Sequence, residues 1–132
     1  MNAAAAYGWM YELYCSGNVF DVHKDRYALE SNGSIMHGIY YCEDQYPDSH
    51  VYTDAEFLRV QYCPDFLVIH PMNVDYAGHK FGAASAEYAH AGNMTVDQIA
   101  QLYEGWIADG YDLVVTADHG MGNRKTMKQQ LL

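Results

Sequence analysis

Apolar positions come in blocks along this chain, and the blocks differ in period. Residues 3–14 are helix formers with apolar side chains throughout, among them Ala5, Trp9, Met10, Leu13 and Tyr14. That pattern predicts a largely buried helix. Ser16-Gly17-Asn18 would stop it, with Gly17 as a left-handed cap. Residues 18–34 are polar and read as irregular, closing on the turn signal Ser31-Asn32-Gly33-Ser34. Residues 35–42 are rich in Ile and Tyr and predict a strand. After Tyr46-Pro47-Asp48, Thr53 or Asp54 could cap a helix through Glu56, Phe57, Leu58, Val60 and Gln61.

The second half is patterned more sharply. Phe66-Leu67-Val68-Ile69 is a continuous apolar run, as expected of a strand buried on both faces in a parallel sheet. His70-Pro71 ends it, and a polar loop containing Asp75, Gly78, His79 and Gly82 is expected next. Thr95 or Asp97 would open a helix in which Ile99, Leu102, Tyr103, Trp106 and Ile107 recur at helical spacing, with Gly110 as its stop. Residues 111–117 then form a second buried-type strand run, ending in Asp118-His119-Gly120. Strand, loop, helix and strand make a crossover unit, so its two strands should be parallel. Binding sites in such sheets lie beyond the carboxyl ends of the strands. Asp75 with His79, and Asp118 with His119, are both expected at that edge.

Composition narrows the function classes. The chain has 132 residues, the length of one domain, and no internal repeat. Seven basic against 17 acidic residues give a net charge of −10. A nucleic-acid scaffold is not expected, because phosphate neutralisation needs Lys and Arg. The acidity fits cation binding or plain solubility. No apolar run approaches the ~18 residues of a membrane span, so no membrane partner is expected. The N-terminus lacks a basic segment and a long apolar one, which favours a cytoplasmic location. The 3 cysteines, Cys15, Cys42 and Cys63, form no paired motif and are expected reduced and buried.

Asp75 and His79, four residues apart, combine a carboxylate oxygen and an imidazole nitrogen, donors that suit zinc or manganese. Taken alone the pair is a weak signal, and an Asp–His hydrogen bond is its simpler account. Asp118 after an apolar run must be paired, metal-bound or at a solvated strand end. His23, His50 and His90 read as solvated, His37 as a core or half-buried residue, and His70 as a possible rim residue. No side chain stands out as a nucleophile; Ser16, Ser85 and Thr95 read as turn or cap residues. Met72, Met94 and Met121 read as gap-fillers. The tyrosines at 40, 41, 46 and 52 form either an aromatic wall or a half-buried surface.

Taken in order, Pro64-Asp65-Phe66-Leu67-Val68-Ile69, Asp75-x-x-Gly78-His79-x-x-Gly82, a helix, and Val114-Val115-Thr116-Ala117-Asp118-His119-Gly120-Met121 resemble the alkaline-phosphatase superfamily. Within it, the type I phosphodiesterase/nucleotide pyrophosphatase branch is the most similar. The resemblance implies a partial alkaline-phosphatase-like α/β/α sandwich with a mostly parallel sheet. It also implies that residues 1–132 form one domain, a fragment of a larger catalytic domain. It implies two divalent ions, zinc or else manganese, with Asp75 and His79 on one and Asp118 and His119 on the other. The implied activity is metal-dependent hydrolysis of a small phosphate ester.

The family's Thr or Ser nucleophile and its last metal-binding His have no counterpart here, so the chain alone is expected to bind metal weakly, to be inactive and to self-associate. His70 stands where nucleotide-handling members often carry an aromatic residue, which argues against a nucleotide substrate. The rival readings are a non-catalytic metal-binding remnant, or a phosphomutase or sulfatase of the same superfamily.

Overall fold

The computed structural model describes residues 1–14, 19–31 and 33–122. Cys15, the Ser16-Gly17-Asn18 stop and Asn32 of the expected turn lie outside the described residues. The chain divides into two compact units, Met1–Asn73 and Val74–Leu132.

The first unit is a mixed, mostly parallel sheet of four strands with helices on both faces. Its elements are β1 (Asn2–Tyr7), α1 (Gly8–Tyr14), α2 (Val22–Asp25), β2 (Tyr27–Ala28), β3 (His37–Tyr41), α3 (Asp48–Tyr62) and β4 (Phe66–Ile69). The strand order is β2-β3-β1-β4. β1 runs parallel to β3, with Ala5 opposite Ile39, and parallel to β4, with Ala4 opposite Val68. β2 is antiparallel to β3.

The expected helix over residues 3–14 is therefore a strand followed by a shorter helix. Alanine favours helix only weakly, and tertiary context decides. Here Ala3–Ala6 occupy the middle of the sheet at 0–1% exposure. Alternate residues serve opposite faces. Ala3 and Ala5 pack with Ile39, Tyr41 and the α3 residues Val51, Ala55 and Leu58. Ala4 and Ala6 pack with Tyr40, Ile35 and Met10 of α1. Small side chains on the central strand leave the volume of each core to Tyr40, Tyr41 and the helices.

Helix α3 begins earlier than Thr53 or Asp54, because its start is held from a distance. Its N-cap Pro47 makes no side-chain hydrogen bond. The Asp48 N–H instead donates to Asn73 Oδ1 at 2.9 Å, while Asp48 Oδ1 accepts from the N–H groups of Met72 and Asn73 at 3.1 Å. Each residue thus satisfies orphan donors at the other's helix start. The helix ends at Cys63 with φ 46°, its N–H bonded to Arg59 O.

The second unit contains most of α4 (Asn73–Phe81), all of α5 (Ala86–Ala108) and a segment without regular secondary structure to residue 122. The polar loop expected around Asp75 is thus a helix, ending before Gly82 at φ +95°. Helix α5 starts well before Thr95, because Ser85 caps it: Ser85 Oγ accepts from the Tyr88 N–H at 3.1 Å. Gly110, at φ +87°, stops it as expected. Residues 111–117 form no strand, contrary to expectation; Val114 is 84% exposed. β-branched residues favour a strand only where a neighbour supplies the ladder, and none pairs with this segment among the described residues. No described helix is long and apolar enough to cross a membrane.

Candidate functional site

All four residues singled out for metal chemistry lie in the second unit, and their side chains converge. Helix α4 carries Asp75 in its first turn and His79 in its last. Both placements suit the helix dipole. The four-residue spacing puts them on one face, with Asp75 Oδ1 3.3 Å from His79 Nε2.

Asp118 and His119 arrive near the end of the segment that follows α5. Asp118 Oδ1 accepts from the His119 N–H at 2.9 Å, and the backbone bends at these two residues. His119 Nδ1 lies 2.9 Å from Gly120 O. A carbonyl can only accept, so Nδ1 carries the hydrogen and Nε2 is left for another partner. That Nε2 is 3.3 Å from Asp75 Oδ1 and 3.8 Å from Asp118 Oδ1. The His119 Nε2 is thus closer to the carboxylate of α4 than to that of its own neighbour.

Asp75 Oδ1 is buried and has no hydrogen-bond partner. Two imidazole Nε2 atoms approach it at 3.3 Å. A carboxylate oxygen facing the lone pair of a neutral imidazole is unfavourable unless a proton or a cation lies between them. His119 leans toward its protonated form. The Gly120 carbonyl first, then the charges of Asp118 and Asp75, hold its imidazolium to higher pH than usual.

A cation would meet the same atoms. One carboxylate oxygen and two imidazole nitrogens are a zinc or manganese donor set. Two ligands on a tetrahedral zinc, each about 2.0–2.1 Å from the ion, lie about 3.3 Å apart. The donors meet in pairs around Asp75, however. Among the described residues, no three His, Cys, Asp or Glu side chains are grouped to hold an ion.

The family model for type I phosphodiesterase / nucleotide pyrophosphatase matches residues 4–131. The chain belongs to this family. No curated protein and no solved structure matches it. A phosphodiesterase- and pyrophosphatase-type hydrolytic function at family level follows from that membership.

The remaining candidates of this phosphodiesterase-family chain sort by burial. His37 is buried and stacked on Tyr62 with ring centroids 3.9 Å apart, a core residue. His23, His50 and His90 are exposed. His70 closes β4, its N–H bonded to Ala5 O and its ring edge-on to Trp9. Ser85 Oγ donates to Gly82 O at 2.6 Å besides capping α5, so it is engaged structurally. Tyr40, Tyr41 and Tyr52 belong to the core rather than to a binding wall. Cys42 and Cys63 are free and exposed, not buried as expected, because both lie just past the end of an element.

Two further residues matter here. Met72 packs on the sheet core and Met94 is exposed, but Met121 lies against Gly78 on α4. Each residue sits inside one of the two motifs, between or beside the donors, but nothing in the sequence pairs them.

Proposed function

We propose that this chain is the metal-binding part of a metal-dependent phosphoric ester hydrolase. Asp75, His79, Asp118 and His119 are its proposed metal ligands, and a small phosphate ester is its proposed substrate. One observation carries this reading: the buried Asp75 Oδ1, without a hydrogen bond, has His79 Nε2 and His119 Nε2 each at 3.3 Å. Divalent ions bound there would polarise the phosphoryl group and offset charge on its oxygens.

The chain's own residues prepare that site. The Gly120 carbonyl fixes the His119 tautomer, so that Nε2 is the free donor. The α4 backbone fixes the spacing of Asp75 and His79. Asp118 Oδ1 holds the His119 N–H, while the His119 ring reaches Asp75. Whether the ions are zinc or manganese rests on donor type alone, and both are proposed.

Calorimetric titration of the chain with zinc, and separately with manganese, tests the reading. We expect binding weaker than that of a closed zinc site, because each ion meets about two donors rather than three or four. Asp75→Ala should weaken it about tenfold or more, since that oxygen faces both imidazoles. Absence of any binding, or binding that Asp75→Ala leaves unchanged, would overturn the assignment. The non-catalytic alternative is tested by assay: cleavage of bis-p-nitrophenyl phosphate by the metal-loaded chain, lost in Asp75→Ala, would rule that alternative out.

A further inference from the structure

The two halves of the cluster come from distant parts of the second unit, α4 and the turn after residue 117. Something other than the metal must bring them together in its absence. The contact that does so is unusually close. Gly78 is buried within α4. A methyl group at position 78 would lie 2.7 Å from both Cγ and Cε of Met121 and 3.0 Å from its Sδ. Ordinary carbon contacts are about 3.5–4.0 Å, so the Met121 side chain lies on the bare Cα of Gly78.

The placement of these two residues is what matters. Gly78 precedes the donor His79, and Met121 follows His119 by two residues, just after the Gly120 carbonyl that orients the ring. Any shift of Met121 away from α4 therefore pulls on the backbone that holds His119 Nε2 3.3 Å from Asp75. Glycine within a helix is less stable than alanine, so local helix energetics favour Ala at this position. The close approach of Met121 is a physical reason for glycine there.

We propose that Gly78 and Met121 are a positioning pair: Met121 seats on the uncovered helix backbone at Gly78 and so holds the Asp118–His119 turn against α4. This inference rests on the metal-binding reading above. It deepens that reading by naming how the ligand set is pre-assembled. Neither residue is a ligand. Their effect on metal affinity is of the kind exerted by groups that orient ligands, which typically alter it by about 10–100-fold.

The test uses the whole chain and has a metal-free arm. In the absence of metal, methyl-labelled Met121 should show a nuclear Overhauser effect to the Gly78 α protons. Its absence in wild type overturns the proposal. With manganese as a paramagnetic probe, the ring signals of His79 and His119 should broaden in wild type. Gly78→Ala and Met121→Ala should each raise the manganese concentration needed for that broadening by about tenfold. The double variant Gly78→Ala/Met121→Ala should regain most of the loss, because the methyl on α4 then enters the space vacated by methionine.

Met121→Leu, which keeps an apolar side chain of similar volume, should bind close to wild type. It keeps the test alive even if Gly78→Ala fails to fold. Wild-type affinity in Gly78→Ala and Met121→Ala, or losses that simply add in the double variant, would overturn the pair. Failure of the function reading looks different: the metal-free contact is present, but no manganese binds. In that case His119 ring shifts that move in Gly78→Ala uphold the positioning role, and unmoved shifts overturn it.

Discussion

The two units divide the work of this molecule between burial and chemistry. In the first, β1 lies between two parallel neighbours, and both hydrophobic clusters are built around its alternating alanines. In the second, Ala77 and Trp106 are the buried apolar side chains among the described residues, while every proposed metal ligand is found there. Apolar burial is the dominant favourable term in folding. The first unit should therefore carry most of the stability. The second can keep a buried, unbonded carboxylate oxygen at Asp75, which a tightly packed core would tolerate only at a cost.

The strongest way to break that comparison is to open a cavity in the first unit. Leu58 is fully buried on α3 beneath Ala3, Ala5 and Ile39. Leu58→Ala should cost about 3 kcal/mol, toward the lower end of the range for core leucines. Urea unfolding followed by far-ultraviolet circular dichroism measures it. Val114→Ser, at a position 84% exposed, should stay within about 0.5 kcal/mol of wild type. Equal losses from the two changes would mean that burial is not concentrated as described.

A smaller effect comes from the same core through pH. Burial, and to a lesser degree the charge of Asp48, pushes the Tyr52 phenol up to about 12 from its ordinary 10.0. The folded state thus prefers the protonated phenol more than the unfolded state does. That preference is harmless below pH 10. It becomes a loss of stability as the pH climbs from about 10 toward about 12. A two-unit shift caps the loss at about 2.7 kcal/mol, and partial solvation makes about 2 the better expectation. Tyr41, raised by its own burial, acts in the same direction. Urea midpoints at pH 9 and pH 11.5 should differ in wild type and differ less in Tyr52→Phe. An identical pH slope in that variant would remove Tyr52 from the account.

How much of this was legible in the residues depends on whether an element declares itself or is decided by its neighbours. β3 and β4 were legible, because apolar β-branched and aromatic runs have few other uses. The four metal-ligand candidates were legible as two Asp–His pairs placed after apolar runs. β1 was not, because four alanines read as helix until the sheet claims both their faces. The start of α3 was not, because the group accepting its first N–H is Asn73, far away in sequence. The α4 helix was hidden by Pro71 and Gly78, which read as loop punctuation. Gly78 instead answers to Met121, a tertiary contact that no local pattern encodes. Residues 111–117 show the converse: their pattern says strand, but a strand is completed only by a partner.

The smallest effect sharpens the comparison from the other side. The buried side chains of α5 are limited to Trp106 among its described residues, so a single cap carries unusual weight for this helix of 23 residues. Ser85 Oγ both accepts from the Tyr88 N–H and donates to Gly82 O. Ser85→Ala removes both bonds and leaves the first-turn donors of α5 to water. The expected cost is about 1 kcal/mol. That loss should be local, because fraying a helix end exposes little apolar surface. Hydrogen exchange should therefore speed up about fivefold at the first-turn amides of α5, the rate change that ~1 kcal/mol implies. The amides of β1 and β3 should keep their rates, since their ladders and the clusters around them contain no residue beyond Met72. If β1 and β3 accelerated as much as α5, the cap would be stabilising the whole chain, and the division between a stable first unit and a chemically committed second one would fail.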